Sequence, residues 1–193
     1  MRGRDGRCYS SAVRFRECLL KGAFVVELEP HVDERGFFAR TFAEEEFAAH
    51  GLPVRFPQLN LSRNTHAGTL RGLHFNASPW GEAKVVRCTS GAIWDVIVDL
   101  RAGSPTRFRW FGVELTAERG EALFVPEGFA HGFVTLRDLS DVSYQMSRAY
   151  QPGAARGVLW SDERLAIRWP VAPAVMSDWD RTLPALVDAA LDD

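Results

Sequence analysis

Residues 120–133 read GEALFVPEGFAHGF, from Gly120 to Phe133. Five residues separate Gly120 from Pro126, one separates Pro126 from Gly128, and two separate Gly128 from His131. The apolar run Ala122–Val125 suits a strand, Pro126 and Gly128 suit a turn, and Gly132–Leu136 suits a returning strand. A histidine thus stands where the chain re-enters a sheet.

Similar units lie on both sides. Ala23–Leu28 is apolar and stopped by Pro30, and Phe37–Phe42 is rich in aromatics. Thr69–Phe75, Ala83–Thr89, Ala92–Leu100, Arg107–Thr116 and Val142–Ala149 read as further strands. Ser90-Gly91 suits a tight hairpin between Ala83–Thr89 and Ala92–Leu100. Within Ala92–Leu100, residues Ile93, Asp95, Ile97 and Asp99 alternate with Trp94, Val96, Val98 and Leu100, so both faces carry apolar groups. That is the pattern of a sheet packed on a second sheet. Many short strands at this spacing predict a mainly-β jelly-roll barrel or sandwich with short flanking helices. One helix is expected over Phe42–His50, capped by Thr41 and ended by Gly51 and Pro53, and another over Thr182–Ala190. Residues 1–22 read as an extended or flexible leader.

The 193 residues are expected to form one domain, residues 1–193. A hydrophobic content of 46% with 25% charged residues excludes a disordered chain. A net charge of −2 excludes the basic field of a nucleic-acid binder. No apolar run reaches the ~18 residues of a membrane helix. Cys8, Cys18 and Cys88 are odd in number and include no C-x-x-C pair, which fits the reducing cytoplasm.

The Gly120–His131 spacing resembles the second signature motif of the cupin superfamily, which turns His131 inward. Many cupins bind a metal through an H-x-H pair, but the second position of that pair is Asn76 here. His74, His131 and Glu82 together make a poor donor set. On an unbroken strand, Leu70, Gly72, His74 and Asn76 share one face. His74 is then either a reactive imidazole or a hydrogen-bonded core histidine. Lys84 is one of only two lysines, with Lys21. It is either a compact cation inside the barrel or a solvated strand lysine. Tyr144 and Tyr150 are two of three tyrosines and share a face if their strand is continuous. A phenol there is a candidate acid, and packing is the alternative. Arg35 and Arg40 flank Phe37 and Phe38, and Arg71 adds a further fork; such residues suit diphosphate and base recognition, although surface ion pairs use the same residues.

Together these segments resemble the dTDP-4-dehydrorhamnose 3,5-epimerase family. The resemblance is carried by DERGFF at Asp33–Phe38, QLNLS at Gln58–Ser62, TLRGLHF at Thr69–Phe75 and AKVVRCTSGAIWDVIVDLR at Ala83–Arg101. GSPT at Gly103–Thr106, VPEGFAHGF at Val125–Phe133, the Tyr144–Tyr150 segment and WSDERLAIRWP at Trp160–Pro170 continue it in order.

The resemblance implies a sugar-nucleotide epimerase that removes a proton beside a C4 ketone. It implies His74 as base, Asp180 as the carboxylate orienting it, Lys84 as the cation at the enolate oxygen, and Tyr144 as proton donor on the opposite face. It places Arg35 and Arg71 on the diphosphate, and Phe38, Gln58, Asn60, His131 and Tyr150 around the nucleotide or sugar. It implies a homodimer with Phe38 reaching across the interface, no metal and no organic cofactor, and no nucleic-acid or membrane partner. Family members usually carry Glu where this chain has Arg40, and Gln where it has Asn76. Trp80, in the unusual segment Ala77–Gly81, is expected to border the pocket. A single-carbon epimerase, a non-catalytic sugar-nucleotide binder and a metal-dependent cupin enzyme are the alternatives.

Overall fold

The computed structural model describes residues 12–186. Thirteen strands and two short helices occur among these residues. The first sheet runs in the order β1 (Val13–Glu17), β2 (Phe24–Leu28), β10 (Ala122–Val125), β7 (Lys84–Ser90), β12 (Ser140–Met146), β5 (Gln58–Asn64). The second runs β13 (Ala155–Gly157), β6 (Leu70–Asn76), β11 (Phe129–Thr135), β8 (Ala92–Asp99), β9 (Trp110–Thr116). β3 (His31–Asp33) and β4 (Gly36–Phe38) form a separate hairpin. All strand pairings are antiparallel. The mainly-β reading therefore stands.

Three apolar layers follow from the alternation along each strand. Val25, Val86, Cys88, Leu123 and Val142 of the first sheet meet Ile93, Ile97, Leu115 and Phe133 of the second. The outer face of the second sheet, including Val96 and Val98, is covered by Val158, Leu165 and Leu186. The outer face of the first sheet, including Val26, Val85 and Phe124, is covered by Phe47 of α1 (Glu44–Ala49). Each fully buried side chain of this size contributes roughly 1.5–3 kcal/mol.

Several boundaries differ from the sequence reading, each for an identifiable reason. Ser90-Gly91 is not a hairpin. It carries the chain from the first sheet to the second, and β7 and β8 do not pair. Ser140 makes this corner possible: its Oγ accepts from Ala92 N at 3.2 Å and donates to Ala92 O at 3.1 Å. A Cβ on Gly91 would strike that hydroxyl. α1 is capped by Ala43 without a side-chain bond, not by Thr41, and three glutamates in its first turn complement the helix dipole. β1 lies inside the expected leader and pairs along its length with β2.

The expected helix over Thr182–Ala190 lies partly outside the described residues. Within them, α2 (Asp178–Arg181) ends first, and Pro184 and Leu186 bond across the fold instead: Leu159 N donates to Pro184 O, and Leu186 N to Asp162 Oδ2. β12 stops at Met146, so Tyr150 is off the strand and does not share a face with Tyr144 by strand alternation. Among the described residues no helix is long and apolar enough to cross a membrane.

The strand that carries His74 departs most instructively. His131 pairs with His74, and Phe133 with Arg71, so two residues of β6 oppose one of β11. This bulge overturns the simple alternation expected for Leu70, Gly72, His74 and Asn76. Arg71 and His74 now face the space between the sheets, and Leu73 and Phe75 join the outer layer. Gly72 sits at φ +124°, and a Cβ there would lie 2.6 Å from Gly132 Cα and 2.8 Å from His131 O. Gly72→Ala is expected to lower the unfolding free energy by more than about 2 kcal/mol, measured by urea denaturation. A loss below about 0.5 kcal/mol would show that the bulge tolerates a side chain.

Candidate active site

Between the two sheets lies a cavity of about 260 Å³. From the second sheet, β6 contributes Arg71 and His74, and β11 contributes His131 and Phe133. From the first, β7 contributes Lys84, β12 contributes Tyr144 and Met146, and β5 contributes Asn60, Leu61 and Ser62. The imidazole of His74 and the phenol of Tyr144 thus come from opposite walls.

His74 Nε2 lies 2.6 Å from Asp180 Oδ1. The Asp180 carboxylate is buried and also accepts from Ser177 Oγ at 2.7 Å and Gly72 N at 3.2 Å. Burial pushes this carboxyl up, but the bonds from His74, Ser177 and Gly72 outweigh burial and hold it below the usual carboxylate range. An ionised carboxylate only accepts, so Nε2 carries the proton and Nδ1 keeps the lone pair. Burial lowers the His74 imidazolium, Asp180 opposes this, and electrostatic repulsion from the neighbouring Lys84 adds to the lowering. The net result is a neutral imidazole at pH 7, able to accept a proton.

Lys84 is buried, and its Nζ lies 3.4 Å from Glu82 Oε1. Burial lowers its ammonium, and the Glu82 carboxylate works against that. Tyr144 is raised well above the ordinary phenol value by burial first and by the Asp95 charge second. It therefore stays protonated and can donate. His131 is buried with Nε2 2.7 Å from Asp95 Oδ1, and its ring stands edge-on to that of Tyr144 at 6.1 Å.

The cavity therefore brings together His74, Lys84, Tyr144, Asn60, Arg71 and His131, with Asp180 behind His74. Gln58 and Tyr150 are linked to it indirectly: Gln58 Nε2 donates to Asn60 Oδ1 at 3.2 Å, and Tyr150 N donates to Gln58 Oε1 at 2.7 Å. Arg35 and Phe38 are not in this cavity. They occupy the β3–β4 hairpin, where Arg35 pairs with Asp33 and Phe38 is 66% exposed. Trp80 is not among the lining residues either; its segment turns on itself through Trp80 N to Ala77 O. Glu82 is the counter-ion of Lys84. No group of three or more His, Cys, Asp or Glu side chains suited to a metal occurs among the described residues.

Asp95 and Trp179 were not singled out by sequence reasoning. Asp95 had a signal, an acid at an inward position between Ile93 and Ile97. Trp179, stacked on His74, had none beyond its place next to Asp180.

The family model described as dTDP-4-dehydrorhamnose 3,5-epimerase matches residues 17–188. The chain belongs to this epimerase family. Its members are isomerases. A dTDP-4-dehydrorhamnose 3,5-epimerase of Shigella flexneri is 45% identical over 168 residues, covering 86% of this chain and 92% of the relative. The crystal structure of such an epimerase from Bacillus anthracis, with TDP and PPi bound, superposes with a TM-score of 0.87 at 42% identity, covering 91% of this chain and all of that one. The epimerase fold is shared more widely. A 3'-monoepimerase from Streptomyces bikiniensis, ChmJ, in complex with dTDP-quinovose, has a TM-score of 0.82 at 36% identity, covering 88% of this chain and 86% of that one.

The depressed imidazolium has a consequence for stability. An unfolded histidine titrates near 6.5, so protonation favours the unfolded chain. The contribution of neutral His74 is complete above about pH 6.5 and declines as pH falls through that value towards the lowered one. Asp180 adds a later loss, because a depressed carboxyl stabilises the fold above about pH 3.9 and ceases to do so as it protonates. Denaturant titrations from pH 8 to 5 are expected to show a shallower loss of stability in His74→Asn than in the unaltered chain. Parallel curves would contradict this assignment.

Proposed function

We propose that the protein inverts C3 and C5 of a dTDP-linked 4-keto-6-deoxyhexose, by proton abstraction next to the C4 ketone. A C–H beside a ketone is acidic because the electron pair left behind delocalises onto oxygen. The reading needs a base on one side of the sugar, an acid on the other, and a cation at the oxygen. The observation that carries it is the pair His74 and Tyr144 on opposite walls of one cavity that Lys84 also lines.

His74 Nδ1 takes the proton from carbon, and Asp180 stabilises the imidazolium that forms. The C–H electron pair moves to the carbonyl oxygen, where the Lys84 ammonium neutralises it. Tyr144 then delivers a proton to the opposite face of the carbon, which inverts the centre. His74 and Tyr144 reset by exchanging protons with water. In this reading Arg71 and Arg35 bind the diphosphate, and Phe38, Gln58, Asn60, His131 and Tyr150 bind the nucleotide or sugar. No metal or organic cofactor enters any step.

The reading includes a cytoplasmic homodimer. The β3–β4 hairpin exposes Val32 (76%), Phe37 (53%) and Phe38 (66%) to solvent. Three adjacent apolar side chains at such exposure suit burial against a second copy, with Phe38 reaching the partner's pocket. The described cysteines, Cys18 and Cys88, are free thiols, in keeping with a reducing compartment.

A second reading, inversion of one carbon only, is favoured by the likeness to the 3'-monoepimerase. The same acid and base serve both, and turnover in heavy water separates them: deuterium enters at both carbons or at one. His74→Asn is expected to slow exchange by at least about 10²-fold while nucleotide binding persists. Exchange at the unaltered rate would place the base elsewhere. Tyr144→Phe is expected to preserve abstraction and impair inversion, and the opposite pattern would exchange the two roles. Sedimentation of the purified chain is expected to give a dimer that Phe38→Asp weakens; a monomer would remove the shared-pocket part of the proposal.

A further inference from the structure

Trp179 lies against His74 with ring centroids 4.5 Å apart and planes 26° from parallel, which is a stacked contact. The indole is 46% exposed and belongs to none of the buried apolar clusters. Core packing therefore does not account for it. Its one ring contact among the described residues is the imidazole.

A single hydrogen bond from Nε2 to Asp180 fixes a point of the imidazole, not its plane. Rotations about the Cα–Cβ and Cβ–Cγ bonds can still tilt the ring, and Nδ1 tilts with it. A flat surface laid over the ring removes that freedom. The point and the plane together fix the direction of the Nδ1 lone pair.

Both contacts come from one turn of chain. Trp179 and Asp180 are neighbours in α2, and Ser177 locks that turn by accepting from Asp180 N at 3.1 Å and donating to Asp180 Oδ2 at 2.7 Å. The segment before it is tied to the start of β6: Leu70 N donates to Val175 O at 2.8 Å, and Ala174 N to Gly68 O at 2.9 Å. The stack is therefore registered to the strand that carries His74.

We propose that Trp179 is a positioning residue for the epimerisation, aiming His74 at the substrate carbon and shielding the back of the ring from water. The proposal rests on the reading of His74 as the base. Losing the stack releases the ring and admits solvent to it. A base misaimed by about 1 Å can cost on the order of 10²-fold in rate. Hydrating the ring relieves the burial that holds the imidazolium down. The groups facing His74 remain in place: Asp180 from α2, Lys84 from β7, His131 from β11, Tyr144 from β12 and Arg71 on its own strand. From β13 it meets Gly157, which carries no charge, while the neighbouring Arg156 is exposed and bonded to backbone carbonyls.

The test compares Trp179→Ala, Trp179→Phe and Trp179→Leu, using deuterium exchange into the dTDP 4-keto sugar across pH 5–9. Trp179→Ala is expected to lose about 10-fold or more in kcat with KM within about 3-fold. The acidic limb of its pH profile is expected to move to higher pH. Trp179→Phe, which keeps a flat ring, is expected to recover kcat to within about 3-fold, and Trp179→Leu is not.

Unchanged kcat and an unmoved limb in Trp179→Ala would overturn the proposal. Should that variant fail to fold by circular dichroism, equal kcat in the Phe and Leu variants would overturn it instead. His74→Asn separates this from the underlying reading: exchange surviving there removes His74 as base, whereas exchange lost there but intact in Trp179→Ala removes only the role of Trp179. Tryptophan fluorescence adds a readout without substrate. A protonated imidazole quenches a stacked indole, so the unaltered chain is expected to dim as pH falls. That step should be missing from both Trp179→Phe and His74→Asn.

Discussion

The hydrogen bond between His74 and Asp180 joins residues 106 positions apart in sequence. Much of the proposed chemistry depends on it. Burial alone would leave the imidazole a weak base with no preferred tautomer. The carboxylate chooses the tautomer, places the lone pair on Nδ1, and in the proposed reaction offers a counter-charge for the proton that arrives. The carboxylate in turn needs Ser177 and the Gly72 amide, because a buried negative charge without donors would protonate and release the ring. The Gly72 amide is available only because β6 bulges there, and the bulge in turn requires a glycine. Strand irregularity, helix cap and acid–base chemistry thus form one linked arrangement.

The two-sheet architecture adds a geometric condition. Inverting a carbon centre requires proton removal and delivery on opposite sides. A sandwich provides opposite sides directly, as two walls with different strands. β6 and β12 belong to different sheets, so in the proposed reaction His74 and Tyr144 need no mobile segment to approach a substrate from two directions. Burial then acts on each group in the useful sense: it keeps the imidazole uncharged and the phenol protonated. The same burial weakens the Lys84 ammonium, and Glu82 offsets only part of that loss.

Much of this was legible in the sequence, for local reasons. Strands such as β10 and β8 announce themselves by apolar runs and flanking turns, and ordered motifs along the chain carried the family resemblance. What the alternation rule missed was non-local. Nothing near Ser90-Gly91 shows that the chain changes sheets there, since the deciding partner, Ser140, lies 50 residues away. The bulge at Gly72 resulted from pairing with β11, and it reversed which neighbours His74 keeps on its face. β5 escaped notice because its polar residues alternate with exposed leucines, Leu59 and Leu61, rather than with a buried face. Phe38 and Arg35 were placed by resemblance in a pocket from which their own hairpin is separate. Alternation along one chain carries no information about a residue that acts across an interface, as proposed for Phe38.

The carboxylate bonded to His74 comes from residue 180, after every described strand of both sheets. A nascent chain therefore carries its imidazole, ammonium and phenol well before the group that orients the first of them. Until the closing segment docks, that imidazole lacks both its carboxylate and its stacked indole. The proposed reaction therefore requires the Ser177–Asp180 turn to be docked against the strand that carries His74.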